Sequence, residues 1–194
     1  IFDKKIINQL KKIAEKYKSK AIICSQLNPL GTGHAVMCAQ KHLKGKAFVI
    51  YPDTLVKFDK KFDEESESII WTKKVDNPTI YGVVKLNSSK HIIDLVEHPK
   101  KFVSDLAVIG VYYFRNIELL KDKLDDALKL KTDKSKEFYI NEGILGLIQI
   151  GCKIQVASVS HWLDCGSVPK AIDANKVALD FFNKKGLIEE KRKF

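Results

Sequence analysis

A chain of 194 residues with 45% hydrophobic content can bury one substantial core, and ordinary domain sizes favour one domain over two. The formal charge of +10 does not mark a nucleic-acid partner: Arg115 and Arg192 are the only guanidinium groups, and the lysines alternate with acids, as in Lys121-Asp122-Lys123-Leu124-Asp125-Asp126. No apolar run approaches the roughly eighteen residues of a membrane span, and Ile1-Phe2-Asp3-Lys4-Lys5 is no secretory signal; a cytoplasmic protein is expected, with no membrane partner and a solvated lysine-rich surface that attracts phosphorylated small molecules.

In chain order, Ile6, Leu10, Ile13, Ala14 and Tyr17 recur at helical spacing, and Ala21-Ile22-Ile23-Cys24 reads as a buried strand. After a loop holding Pro29, Gly31 and Gly33, the positions Ala35, Val36, Ala39 and Leu43 predict a second helix. Ala47-Phe48-Val49-Ile50-Tyr51 runs without alternation, which predicts a strand covered on both faces, as in a parallel sheet flanked by helices. The middle changes character. Ile69–Thr72, Gly82–Leu86 and Ile92–Val96 predict short strands, the last two joined by a turn at Asn87-Ser88-Ser89-Lys90. Leu106–Phe114 adds another strand, so the sheet is expected to be mixed. Helices follow around Ile117–Leu128 and Asn141–Ile150, then a strand at Ile154–Val159. A last helix carries Ala171, Ala174, Ala178, Phe181 and Phe182 on one face, and residues 184–194 form a charged tail. Cys24, Cys38, Cys152 and Cys165 lack CxxC spacing and read as reduced, mostly buried thiols; the scattered histidines give no zinc site.

Three places interrupt the packing pattern. The loop Gln26-Leu27-Asn28-Pro29-Leu30-Gly31-Thr32-Gly33-His34 lies between strand and helix, where glycines let a ligand approach the backbone and a helix amino terminus favours negative charge. An ordinary turn would look the same. Asp53 follows the apolar strand in Tyr51-Pro52-Asp53-Thr54, placed to hold a hard cation against a phosphate or merely to cap a turn. In Trp162-Leu163-Asp164-Cys165-Gly166 an acid stands among apolar neighbours, so it needs a partner. That partner is a metal shared with Asp53, a lysine, or a helix end that the acid caps.

Taken together and in order, Gln26, Pro29–Ala35, Asp53, Tyr81-Gly82-Val83-Val84, Glu97-His98-Pro99, Ile109-Gly110-Val111-Tyr112 and Trp162–Gly166 resemble the sugar-1-phosphate nucleotidyltransferase, or nucleotide-sugar pyrophosphorylase, family from about Gln26 to Asn175. The resemblance implies an α/β, Rossmann-like nucleotidyltransferase fold with a mixed, mostly parallel central sheet flanked by helices, over a domain of residues 1–183. It implies transfer of a nucleotidyl group from an NTP, UTP or dTTP, to a sugar 1-phosphate, giving a nucleotide sugar and pyrophosphate. The implied roles are nucleotide binding by Gln26, Pro29, Leu30, Gly31 and Thr32, with Gln26 and the Gly31 backbone at the base edge. Mg²⁺ would be held by Asp53 and Asp164, the catalytic pair. Sugar binding falls to Tyr81, Gly82, Glu97, His98, Gly110 and Trp162. A homo-oligomer is compatible with the sequence.

Two departures stand out. Nothing before Gln26 resembles the family's glycine-rich phosphate loop, so the domain is expected to lack its first strand, that loop and the first helix, and the fragment itself to be inactive. His98 stands where the family carries a lysine that contacts the sugar phosphate, and an imidazole is only partly charged at neutral pH. Two rival readings remain at this stage. One is a binding or regulatory module without turnover; the other, less favoured, is an NAD-dependent oxidoreductase, because Gly31-Thr32-Gly33 with Asp53 about twenty residues on imitates the dinucleotide fingerprint.

Overall fold

A computed structural model of the protein describes residues 4–58, 61–131 and 137–184, with side chains through residue 180; Phe181, Phe182 and the tail beyond residue 184 lie outside what can be described. The first helical pattern forms α1 (Lys4–Lys16), which ends where Lys18 adopts φ 54° and donates its N–H to Glu15. The apolar stripe of α1 is exposed at Ile6, Leu10 and Ile13, and no residue of the helix is buried.

Ala21–Cys24 does not form the expected strand. A strand exists only as part of a ladder with a neighbour; none of the described strands pairs with this segment, and Ile22 stays 50% exposed. Helix α2 (Thr32–Cys38) is shorter than its apolar face predicted. Ala39 and His42 already donate three residues back, to Val36 and Ala39, which tightens the chain into a 3-10 turn at Gln40–His42. Strand β1 (Ala47–Ile50) is not covered on both faces: Phe48 and Ile50 are exposed while Ala47 and Val49 are partly covered. The open side of Phe48 still meets the rings of Phe62, Trp71 and Tyr113 at centroid distances of 5.2–5.9 Å.

Strand β2 (Thr54–Lys57) was not foreseen. Neither was β8 (His161–Asp164); the other elements follow the pattern closely: β3 (Ser68–Lys74), β4 (Gly82–Leu86), β5 (Ile92–Glu97), β6 (Leu106–Phe114), α3 (Ile117–Leu130), α4 (Ile140–Gln149), β7 (Ile154–Ser158) and α5 (Val168–Lys184). The main sheet has the order β5-β4-β6-β3-β7, with β1 also paired to β6; β2 and β8 form a separate two-stranded ribbon. The sheet is mixed, since β3 runs parallel to β7 while β4 is antiparallel to both β5 and β6. The predicted hairpin closes between β4 and β5, where Lys90 at φ 60° donates to Asn87, and Asn87 Oδ1 accepts from the His91 N–H.

Internal contacts gather the chain into two compact units, one from the stretches through residue 47 and 114–152, the other from 48–113 and from 153 onward. In the first, Asn116 Oδ1 accepts from the Glu118 N–H and caps α3, whose Leu120 and Leu124 are buried. Gly143 lets α4 approach so closely that a Cβ there would stand 2.6 Å from Leu124. In the second, Ile69, Trp71, Ile109, Val111, Tyr113 and Val159 form a buried cluster, each aliphatic side chain in it contributing about 1.5–3 kcal/mol of hydrophobic stabilisation.

Candidate active site

The β2–β8 ribbon brings Asp53 and Asp164 together. Its register pairs Thr54 with Asp164, the Cys165 N–H donates to the Asp53 carbonyl at 2.8 Å, and the Thr54 hydroxyl donates to the Ile109 carbonyl at 2.9 Å. Two acids about 110 positions apart in sequence therefore sit at neighbouring ends of two strands. The Gly166 N–H donates to Asp164 Oδ1 at 2.8 Å. A Cβ on Gly166 would stand 3.1 Å from both Asp164 Oδ1 and Asp53 Oδ2, so the two oxygens flank the space that a side chain at this position would fill.

Asp164 has a second partner. The Lys170 ammonium, from the first turns of α5, lies 2.6 Å from Asp164 Oδ2 and 4.9 Å from the centre of the Tyr81 ring. The Tyr81 hydroxyl donates to the same Oδ2 at 3.4 Å. Burial pushes the Asp164 carboxyl up, but the Lys170 ammonium, the Gly166 N–H and the Tyr81 hydroxyl outweigh it and hold the group below the usual carboxylate range. In return, the hydrogen bond to Asp164 holds the Lys170 ammonium above its ordinary range. Of the partners the sequence offered for Asp164, the lysine is present, and Asp53 lies at the neighbouring strand end.

The other expected sugar-pocket residues occupy the same unit. Tyr81 packs edge-on against Trp162 at 5.3 Å, and the Trp162 indole N–H is buried with no hydrogen-bond partner among the described residues. Gly82 pairs with Glu97 across β4 and β5, and a Cβ on it would stand 2.5 Å from Glu97 Oε2. His98 follows at φ 45°, with its N–H donating to the Tyr81 carbonyl and its imidazole 3.5 Å from the Glu97 carboxylate. Gly110 adopts φ 74° against the Tyr51 ring, 2.6 Å from where its Cβ would be; the Tyr51 and Tyr112 hydroxyls are 3.4 Å apart, and burial pushes the Tyr112 phenol well above its ordinary range.

The nucleotide-binding candidates lie in the first unit. Gly31 has φ 108°, a conformation that side chains resist, and the Phe138 backbone is 2.5 Å from its would-be Cβ. The loop is laced to the 138–140 segment: Phe138 N–H to the Leu30 carbonyl at 2.7 Å, Gly33 N–H to the Phe138 carbonyl at 2.8 Å, and Ile140 N–H to Thr32 Oγ1 at 3.1 Å. Pro29 and Leu30 are exposed. Gln26 donates to the Gly31 carbonyl at 3.0 Å and contacts His34 Nδ1 at 2.9 Å. Because residues 21–24 are not a strand, the strand–turn–helix context that the dinucleotide fingerprint needs is missing.

Lys170, the Phe138 segment and His34 had escaped the sequence reading. Lys170 carries no signal in the sequence, being one lysine among many; His34 lies inside the Pro29–Ala35 motif, and the resemblance implies no role for it. The four cysteines are reduced, and partly rather than mostly buried. Among the described residues no three His, Cys, Asp or Glu side chains cluster as metal ligands, and no helix is long and apolar enough to cross a membrane.

Comparison with known proteins identifies relatives of the chain. A family model described as nucleotidyl transferase matches residues 2–180. The chain is 29% identical over 191 residues to the bifunctional protein GlmU of Methanococcus aeolicus, an alignment covering 88% of this chain and 45% of that protein. It is 29% identical over 166 residues to the glucose-1-phosphate thymidylyltransferase of Streptomyces antibioticus, covering 80% and 45%. The chain thus spans a little under half the length of these curated relatives. Its fold superimposes on a solved UDP-glucose pyrophosphorylase in complex with UDP-glucose with a TM-score of 0.70, at 22% identity, over 93% of this chain and 74% of that one. Matched over nearly its whole length, the chain belongs to the nucleotidyl transferase family, the sugar-1-phosphate nucleotidyltransferases whose motifs it carries.

Proposed function

We propose that the protein transfers a nucleotidyl group from UTP or dTTP to a sugar 1-phosphate, releasing pyrophosphate, and that Asp53 and Asp164 hold the Mg²⁺ this reaction needs. The observation that carries the reading is the meeting of the two carboxylates around Gly166, where a side chain would fill the space between them. Mg²⁺ is commonly bound by one or two carboxylates plus waters and phosphate oxygens, so a pair without a third protein ligand fits it. When bound, the ion supplies charge neutralisation for the phosphates.

The chain's own residues account for the remainder. Gln26 and the Gly31 backbone present hydrogen-bonding groups to a base edge, with Pro29, Leu30 and Thr32 completing that loop. Glu97, laid over Gly82, offers a carboxylate to sugar hydroxyls; Tyr81, Trp162, His98 and Gly110 shape the surroundings. The transfer requires no protein nucleophile, because a sugar-phosphate oxygen attacks the α-phosphorus in line and pyrophosphate departs. A cytoplasmic setting and a homo-oligomer accord with this reading.

A second reading, a binding module without turnover, is supported by one observation: the Lys170 ammonium already lies against Asp164. A pyrophosphate-release panel on the protein made from its complete coding sequence separates the two. Crossing four NTPs with several sugar 1-phosphates, we expect Mg²⁺-dependent release with UTP or dTTP and none after Asp164→Ala. Near-normal turnover in that variant would sink the assignment, and binding without release in the wild type would favour the module.

A further inference from the structure

We infer that His34 locks the Gln26 amide so that it offers a ligand only a hydrogen-bond acceptor, which makes His34 the positioning residue that selects bases carrying a ring N–H. The inference rests on the proposed reading that Gln26 faces a base.

Gln26 Nε2 lies 3.0 Å from the Gly31 carbonyl oxygen and 2.9 Å from His34 Nδ1. A carbonyl oxygen can only accept, so the amide atom facing it has to be nitrogen, which removes the usual ambiguity between the two ends of a glutamine side chain. That nitrogen carries two N–H groups. One is taken by Gly31, and the other meets His34 Nδ1, which must then be the acceptor, so that the imidazole carries its proton on Nε2. Cys38 Sγ, 3.9 Å from the same Nδ1, is a longer and weaker competitor. Both N–H groups of Gln26 are consumed within the protein, and Oε1 is what remains.

An acceptor presented to a nucleobase discriminates by elementary chemistry. Uracil and thymine carry N–H at N3 and guanine carries it at N1, whereas cytosine and adenine have a lone pair at the corresponding positions. Oε1 bonds to the first group and meets the second lone pair to lone pair. Without His34, only the Gly31 carbonyl would hold the amide, one N–H would be released, and cytosine N3 would gain a donor. Gly31 cannot substitute for His34, because its carbonyl already accepts from the first N–H of Gln26 and from the Ala35 N–H at 3.1 Å, and its φ is 108° with the Phe138 backbone against it.

The test uses the protein made from its complete coding sequence and titrates UDP and CDP by calorimetry. Wild type should bind UDP at least about tenfold more tightly than CDP, the discrimination expected when a wrong base leaves a site group unpaired. His34→Phe, which keeps the ring but has no acceptor, should bring that ratio near unity chiefly by strengthening CDP, and His34→Ala replaces it if the larger ring disturbs folding in a thermal melt. His34→Asn, whose side-chain oxygen can take the place of Nδ1, should restore the ratio. An unchanged ratio in the acceptor-free variant, or no rescue by asparagine, overturns the inference and leaves the proposed function standing. Binding of neither nucleotide by wild type overturns the base-reading assignment and this inference together.

Discussion

Gly31 and Gly166 are glycines for opposite reasons. At Gly31 the space a side chain would need is filled by the Phe138 backbone, and the residue is left-handed at φ 108°. The surroundings are neutral N–H and C=O groups already paired with one another. At Gly166 the atoms nearest that space are two carboxylate oxygens, one from Asp164 and one from Asp53, each 3.1 Å from where a Cβ would stand. One glycine is demanded by backbone geometry and the other by chemistry. Rigidity of the first kind suits recognition of a base; concentrated negative charge of the second kind suits a cation and the phosphates it binds.

The largest effect that separates the two regions should come from Asp164→Asn. It keeps the shape of the turn but removes a charge, so pyrophosphate release should fall at least about a hundredfold while the thermal midpoint changes little. A variant that instead unfolds, with normal specific activity in its folded fraction, would reassign Asp164 to architecture. Gly31→Ala should do the reverse. A methyl group in that conformation costs about 1–3 kcal/mol before any clash with Phe138 is counted, so urea unfolding should show a loss of at least that size. Stability equal to wild type would mean that the loop is not held as described.

How much of this contrast was legible beforehand follows from what each feature depends on. The strands β3 to β6, the hairpin at 87–90 and the helices α3 to α5 announced themselves because alternation, turn residues and helical spacing are local properties. Ala21–Cys24 and β1 misled because an apolar run reports a tendency to be buried and says nothing about which neighbour does the burying; Phe48 and Ile50 remain exposed although the run containing them looked fully covered. Asp53 and Asp164 were picked out by their places after apolar segments, yet β2, the four-residue strand that joins them, is too short to leave a pattern. Lys170 was invisible, since what distinguishes it from other lysines is the ribbon geometry that puts Asp164 within 2.6 Å.

Gly166→Ala sharpens the comparison further because it should be nearly silent in one measurement and clear in another. The added methyl would sit 3.1 Å from each carboxylate oxygen, a tight contact that small side-chain rotations relieve. The stability cost should stay below about 1 kcal/mol, while Mg²⁺ or Mn²⁺ affinity drops about tenfold or more, as metal sites respond to disturbed ligand orientation. Equal metal affinity in the two proteins would show that the cation is not held in the space this glycine leaves open.

The smallest expected effect concerns the charge pair itself, measured in metal-free buffer. Asp164 is held below the usual carboxylate range in the folded state, so its contribution is present above the unfolded value of about 3.9 and is lost as pH falls through the folded value. Lys170 is held above its ordinary range; its contribution is complete below the unfolded value of about 10.4 and is lost as pH rises through the folded value. The pair therefore contributes a plateau across neutral pH that fails at both ends. With side-chain exposures of 40% for Lys170 and 21% for Asp164, solvent screening keeps the height of that plateau below about 1 kcal/mol. Urea unfolding of wild type and Lys170→Met should differ by this small amount at pH 7 and converge in acid, as pH falls through the lowered folded value of Asp164 and the carboxylate takes up its proton. A difference that persists unchanged into acid would trace the loss to the packing of the Lys170 stem against Tyr81, and not to its charge.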